Sequence, residues 1–142
     1  MPADRTESDD SVYRLVLEAL GPYDGAADVE QVWSQSGGMW FTEVKPRNRN
    51  AARINVAAED ETTLNVTVGN IWFEMFGPVQ RNLPQLREII EGVFAGRLEE
   101  SGTRERAYGR VLGQSRTFRI GHMHLPLLWS LRRPRRYVPY DA

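Results

Sequence analysis

The chain has only two histidines, His122 and His124. On a strand, side chains two residues apart point to the same side, so this pair can hold a metal ion if a third ligand joins it. Glu43 and Glu74 are the candidates for that place, and a purely structural or surface role for the histidines is the alternative. The same two carboxylates suggest a second chemistry. Each lies inside an apolar stretch, Met39-Trp40-Phe41-Thr42-Glu43-Val44 and Ile71-Trp72-Phe73-Glu74-Met75-Phe76. Partial desolvation beside such aromatic rings raises a carboxyl pKa toward the range of a general acid, and two facing carboxyls suit a hydrolase. The competing reading is a salt bridge from either glutamate to an arginine of the stretch Arg104 to Arg110.

Other catalytic chemistries are excluded or lack a motif. With no cysteine there is no disulfide, no thiolate nucleophile and no sulfur-ligated zinc. No G-x-S-x-G elbow is present, and no glycine-rich phosphate loop precedes a lysine, the single lysine being Lys45. No catalytic residue, metal ligand or cofactor is therefore assigned, and the chain reads as a binding protein rather than an enzyme.

Charge points the same way. The 142 residues carry a net charge of −1, but residues 1–30 sum to −6 and residues 101–142 to +7. Such polarity steers partners or neutralises itself within the fold. The densest feature is Arg132-Arg133-Pro134-Arg135-Arg136-Tyr137, with Trp129 and Tyr140 nearby. It suits phosphates and stacked bases, an anionic surface, or the acidic residues near the N-terminus. Asp24, Asp28, Glu30, Glu59, Asp60 and Glu61 are the acidic candidates for contact with a basic partner. Trp33 and Trp40 flank the short turn Ser36-Gly37-Gly38, which would place at least one of them on an open face as an interface anchor.

These residues need a scaffold. Residues 1–9 read as a disordered acidic lead, and 10–125 as one domain. A helix from Asp10 to Leu20 buries Val12, Leu15, Val16 and Ala19 and stops at Gly21-Pro22. Strands follow at Val29 to Gln35, Met39 to Lys45, Ala52 to Ala58 and Thr63 to Val68. The last two alternate apolar and polar residues, as expected of an antiparallel sheet with one wet face. Gly69-Asn70 is a hairpin signal, leading into Ile71 to Phe76. That strand is apolar on both sides and so expected to be central, or covered on both sides. A second helix, capped by Asn82 with Gln85 as the capping-box partner, buries Leu86, Ile89, Ile90, Val93, Phe94 and Leu98. Glu99 and Glu100 would face water, with Gly102 as the C-terminal cap. Gly92 and Gly96 would let the helix pack closely on the sheet. Strands at Arg104 to Leu112 and Arg116 to His124 turn at Gly113-Gln114. The remainder, 126–142, is an extended arginine- and proline-rich tail packing Leu127, Leu128 and Trp129 onto the body. The fold class is α+β, a single domain with a mostly antiparallel sheet of about six to seven strands and two helices on one face.

Leu64 to Glu100, reading Leu-Asn-Val-Thr-Val-Gly-Asn-Ile-Trp-Phe-Glu-Met-Phe and then Leu-Arg-Glu-Ile-Ile-Glu-Gly-Val-Phe-Ala-Gly-Arg-Leu-Glu-Glu, resembles small arginine-rich actinobacterial α+β proteins. Some of these resemble immunity proteins, which neutralise a cognate toxin by covering its active site. The resemblance implies a protein partner and no catalytic residues. The reading is a cytoplasmic protein-binding module, without a transmembrane segment, in which exposed tryptophans and edge strands permit a homodimer. The partner-binding candidates are Trp33, Trp40, Glu59, Asp60, Glu61, Trp129, Arg132, Arg133, Arg135 and Arg136. The alternative is a binder of nucleic acid or an anionic surface through the arginine-rich tail.

Overall fold

The structure, a computed structural model, describes residues 2–102, 107–121 and 134–142. Helix α1, Glu7–Leu20, starts three residues earlier than its apolar pattern requires. The cause is a capping box. The Thr6 hydroxyl accepts from the Asp9 amide at 3.1 Å, and the Asp9 carboxylate accepts from the Thr6 amide at 2.8 Å. Glu7, Ser8 and Asp9 are thereby drawn from the acidic lead into the helix. At the other end a single 3₁₀ turn, Gly21–Tyr23, carries the chain to the first strand.

Five antiparallel strands follow as a meander: β1 Ala27–Ser34, β2 Met39–Pro46, β3 Ile54–Asp60, β4 Thr63–Val68 and β5 Ile71–Phe76. Their period of two sorts the side chains. Val44, Ile54, Val56, Leu64, Val66, Val68, Ile71 and Met75 point to one face and are buried. Both helices cover that face. Helix α2, Val79–Phe94, buries Leu86, Ile89, Ile90, Val93 and Phe94. It begins before Asn82, which is not its cap. The Asn82 amide instead donates to the carbonyls of Phe76 at 3.0 Å and Gly77 at 3.5 Å, tying the helix to the end of β5. No helix among the described residues is long and apolar enough to cross a membrane.

Among the described residues, the expected single sheet of six to seven strands is instead two antiparallel sheets with nine strands between them. The chain leaves α2 at Gly96, whose φ of +75° suits glycine, and not at Gly102. Leu98, Glu99 and Glu100 therefore extend as β6, Leu98–Ser101, and not as helix. With β7 Tyr108–Leu112, β8 Thr117–Gly121 and the short β9 Arg135–Arg136, β6 forms a smaller sheet in the order β8-β7-β6-β9. Sequence periodicity reports which residues share a strand face. It does not report which strands pair, and β9 is only two residues long.

A second correction concerns β5. It is an edge strand of the large sheet, not a central one, and Trp72 and Phe76 are 46% and 74% exposed. Its first residue, Ile71, packs against the small sheet at Gly109 and Gly121, where a Cβ would collide with it. Gly92 likewise lets α2 approach Val111 of β7, in keeping with the close packing expected of it.

Replacing Gly109 tests this junction. A methyl group there would overlap the Glu99 backbone carbonyl, which cannot swing aside as a side chain can. Gly109→Ala is expected to destabilise the protein by about 2 kcal/mol, the range of overpacked cores. Urea denaturation measures this, and an unchanged midpoint would contradict the packing described.

Candidate interaction surface

Five of the sequence-predicted residues lie at one end of the large sheet, the two tryptophans on its helix-covered face and the three acidic residues at the β3–β4 turn. Trp33 and Trp40 are directly opposed on β1 and β2, with ring centroids 5.6 Å apart and edge to face. Both are half-buried. The Trp40 indole donates to the Ala3 carbonyl at 2.7 Å, and Arg5 lies 5.5 Å from the Trp40 ring centroid. The N-terminal residues thus cover part of this pair.

Glu59, Asp60 and Glu61 lie at the β3–β4 turn of the same end and are exposed. Asp60 accepts from the Thr62 amide at 2.7 Å and hydroxyl at 2.8 Å, which holds its pKa below the usual carboxylate value. Glu59 accepts from Asn65 at 3.3 Å. Thr63, just past the turn, is paired with Phe76. The most exposed large apolar side chain among the described residues therefore stands beside three carboxylates. Sequence reasoning missed Phe76. It shares its face with Trp72 and Glu74 by simple alternation, but placing β5 in the centre of a sheet hid the consequence.

The face of the large sheet turned away from the helices carries two informative rows. One runs Glu30, Glu43, Asn55, Thr67 and Trp72 across all five strands, and its neighbour runs Val32, Phe41, Ala57, Asn65 and Glu74. Glu30 and Glu43 are directly opposed, an arrangement that costs stability in a sheet. The side-chain carbonyl oxygen of Asn55 is buried and has no hydrogen-bond donor among the described residues. An adjoining cleft of about 330 Å³ is lined by Glu43, Lys45, Arg53, Asn55, Thr67 and Asn70 among others.

The structure does not bring Glu43 and Glu74 together. They lie on β2 and β5 with two strands between them, so no facing carboxyl pair exists. Of the arginines expected to meet one of them, Arg110 pairs instead with Glu99 at 2.9 Å, and the ion pair of Glu43 among the described residues is with Lys45 at 3.9 Å. Arg104 and Arg106 lie outside the described residues, as do His122, His124, Leu127, Leu128, Trp129, Arg132 and Arg133. Among the described residues no three His, Asp or Glu side chains converge as metal ligands. Asp28 lies 3.9 Å from Arg47, and Asp24 and Glu30 are exposed.

Arg135 and Arg136 form β9 beside β6 and are exposed, with Arg135 stacked 4.8 Å from the Tyr137 ring centroid. Tyr137 is buried, and its hydroxyl donates to Glu100. Glu100, expected on the wet side of a helix, is only 6% exposed. It cannot serve a substrate, because the β4–β5 turn closes over it: a Cβ on Gly69 would lie 3.2 Å from its carboxylate. The Glu100–Tyr137 pair is a structural tie. Tyr140, also buried, donates its hydroxyl to the Ala52 carbonyl. Compared with known protein families, curated proteins and solved structures, the chain matches none.

Burial raises the pKa of both tyrosines above the ordinary 10.0, and at Tyr137 the Glu100 carboxylate adds to the shift. A raised folded-state pKa contributes stability that is fully present below the unfolded value and is lost as pH climbs past it. Stability is therefore expected to fall as pH rises above 10, and to fall less steeply in Tyr137→Phe. At neutral pH the same variant strands the buried Glu100 carboxylate and should cost about 1–3 kcal/mol. Denaturant titrations at pH 7 and across the alkaline range check both effects.

Proposed function

We propose that the chain is a non-enzymatic protein-binding module, an immunity-type inhibitor that masks a toxin or enzyme with a basic surface. The observation that carries this reading is Phe76, 74% exposed at the end of an edge strand and flanked by Glu59, Asp60 and Glu61. A large apolar side chain within a charged rim is the arrangement of an interface anchor, whose energy comes from burial in a partner's pocket. The surrounding carboxylates favour a cationic partner and speed the encounter with it.

The rest of the sheet face supports the same partner chemistry. Glu30 and Glu43 stand directly opposed on it, two acceptors side by side. Arginine or lysine side chains of a partner would relieve the opposed glutamates. The adjacent Val32 and Phe41, both half-buried, would receive apolar contacts. Masking by such a face is steric and electrostatic and needs no group to react.

The test is capture of a stoichiometric protein partner on tagged full-length chain, with nuclease treatment, followed by calorimetric titration. Phe76→Ala is expected to weaken binding by about 30-fold, as for a hot-spot residue worth about 2 kcal/mol. Glu59→Gln with Glu61→Gln should chiefly slow association. Neither change touches the core, so the melting temperature should hold. A partner whose affinity ignores both variants would overturn the reading, and so would capture abolished by nuclease.

A further inference from the structure

Strand pairing in the small sheet gathers residues that are far apart in the sequence. On the face turned away from the core, Arg119 of β8 stands opposite Arg110 of β7, Arg110 opposite Glu99 of β6, and Glu99 opposite Arg136 of β9. One carboxylate is thus shared by a row of three arginines. Glu99 takes Arg110 at 2.9 Å and Arg136 at 3.7 Å, and the two guanidinium-bearing side chains remain 57% and 75% exposed. Arg119 is exposed and has no carboxylate partner among the described residues.

We propose that this face binds the phosphate backbone of single-stranded nucleic acid, with Arg119, Arg110 and Arg136 as the phosphate contacts. Four adjacent strands at roughly 4.8 Å spacing make the row about 14 Å long. That length meets successive phosphates and not a single one. Guanidinium groups present planar paired donors that match phosphate oxygens, and they shed water more readily than ammonium groups. Glu99 holds Arg110 outstretched across the strand, which lowers the ordering cost on binding. It also leaves a surplus of two positive charges in the row. A flexible single strand can follow the row across a twisted open sheet, whereas a stiff duplex would touch it at one point. The face is distinct from the acidic surface of the large sheet, so the inference stands apart from the protein-partner reading.

Fluorescence anisotropy of a labelled oligothymidylate of about 20 nucleotides, titrated with full-length protein at low salt, tests it. Three phosphate contacts on a single strand predict a log–log salt slope near −2, from about −0.7 per contact. Arg119→Gln breaks no ion pair, so it should leave the melting temperature unchanged, lower the slope by about 0.7 and weaken binding several-fold. Glu99→Gln removes the only carboxylate of the row and should tighten binding. Absence of saturable binding at about 25 mM salt would overturn the proposal. So would a slope that Arg119→Gln does not change, or equal competition by polyglutamate, which would assign the row to an acidic protein.

Discussion

A buried carboxylate governs how the C-terminal part of this chain is arranged. Glu100 lies on the inner face of β6, where an ionised group without donors is costly. Its donor comes from 37 residues further along, the hydroxyl of Tyr137. To deliver it, the chain must return beside β6, and that return is β9. The same segment then sets Tyr140 against Phe94, with ring centroids 4.6 Å apart, while Tyr23 reaches Phe94 from the other side at 5.9 Å. The Tyr140 amide donates to the Phe94 carbonyl at 2.9 Å, satisfying a group left open at the end of α2. One polar requirement and one aromatic cluster thus join the turn after α1, the end of α2, β6 and the C-terminal segment. Surface ion pairs such as Arg87–Glu18, at 3.2 Å and well exposed, contribute little by comparison.

Much of the large sheet was legible in the sequence because its information is local. Alternation in Thr63 to Val68 and the Gly69-Asn70 turn define β4 and β5 without reference to anything distant. The buried stripe Leu86, Ile89, Ile90, Val93 and Phe94 does the same for α2. The failures share a cause. Leu98, Glu99 and Glu100 prolong the helical pattern on paper, and only the positive φ at Gly96 breaks it. Apolar residues on both sides of β5 suggest a central strand, yet one side meets helices and the other is an open face. The acidic turn was visible as residue types, but its placement beside the end of β5 and Phe76 depends on strand register, and so does the placement of Trp33 and Trp40 on the opposite face.

The two open faces carry opposite charge for different structural reasons. On the large sheet, hairpin registers set like charges opposite one another at Glu30 and Glu43, and the nearest cation, Lys45, is 3.9 Å from Glu43. On the small sheet, Arg110 opposes Arg119 while one glutamate tempers the row. Each arrangement lowers the stability of the free protein by a modest amount, and each could be relieved by exchanging one residue. A net charge near −1 conceals this separation, because the two fields cancel in the sum but not in space.

That separation limits how the molecule can meet others. Under the proposed reading, a cationic partner would be drawn to the large-sheet face and repelled by the small one, so that approach is oriented before contact. The apolar groups then decide whether an encounter lasts. Phe76 sits on the acidic side, within reach of a partner already aligned by charge. The exposed part of the arginine row has guanidinium groups in place of an apolar anchor, so contacts there depend on charge and weaken with salt. If both proposals hold, the large sheet would make a durable, shape-dependent contact and the small sheet a reversible, salt-dependent one. The Glu100–Tyr137 tie keeps Arg136 in the second surface while leaving the first open.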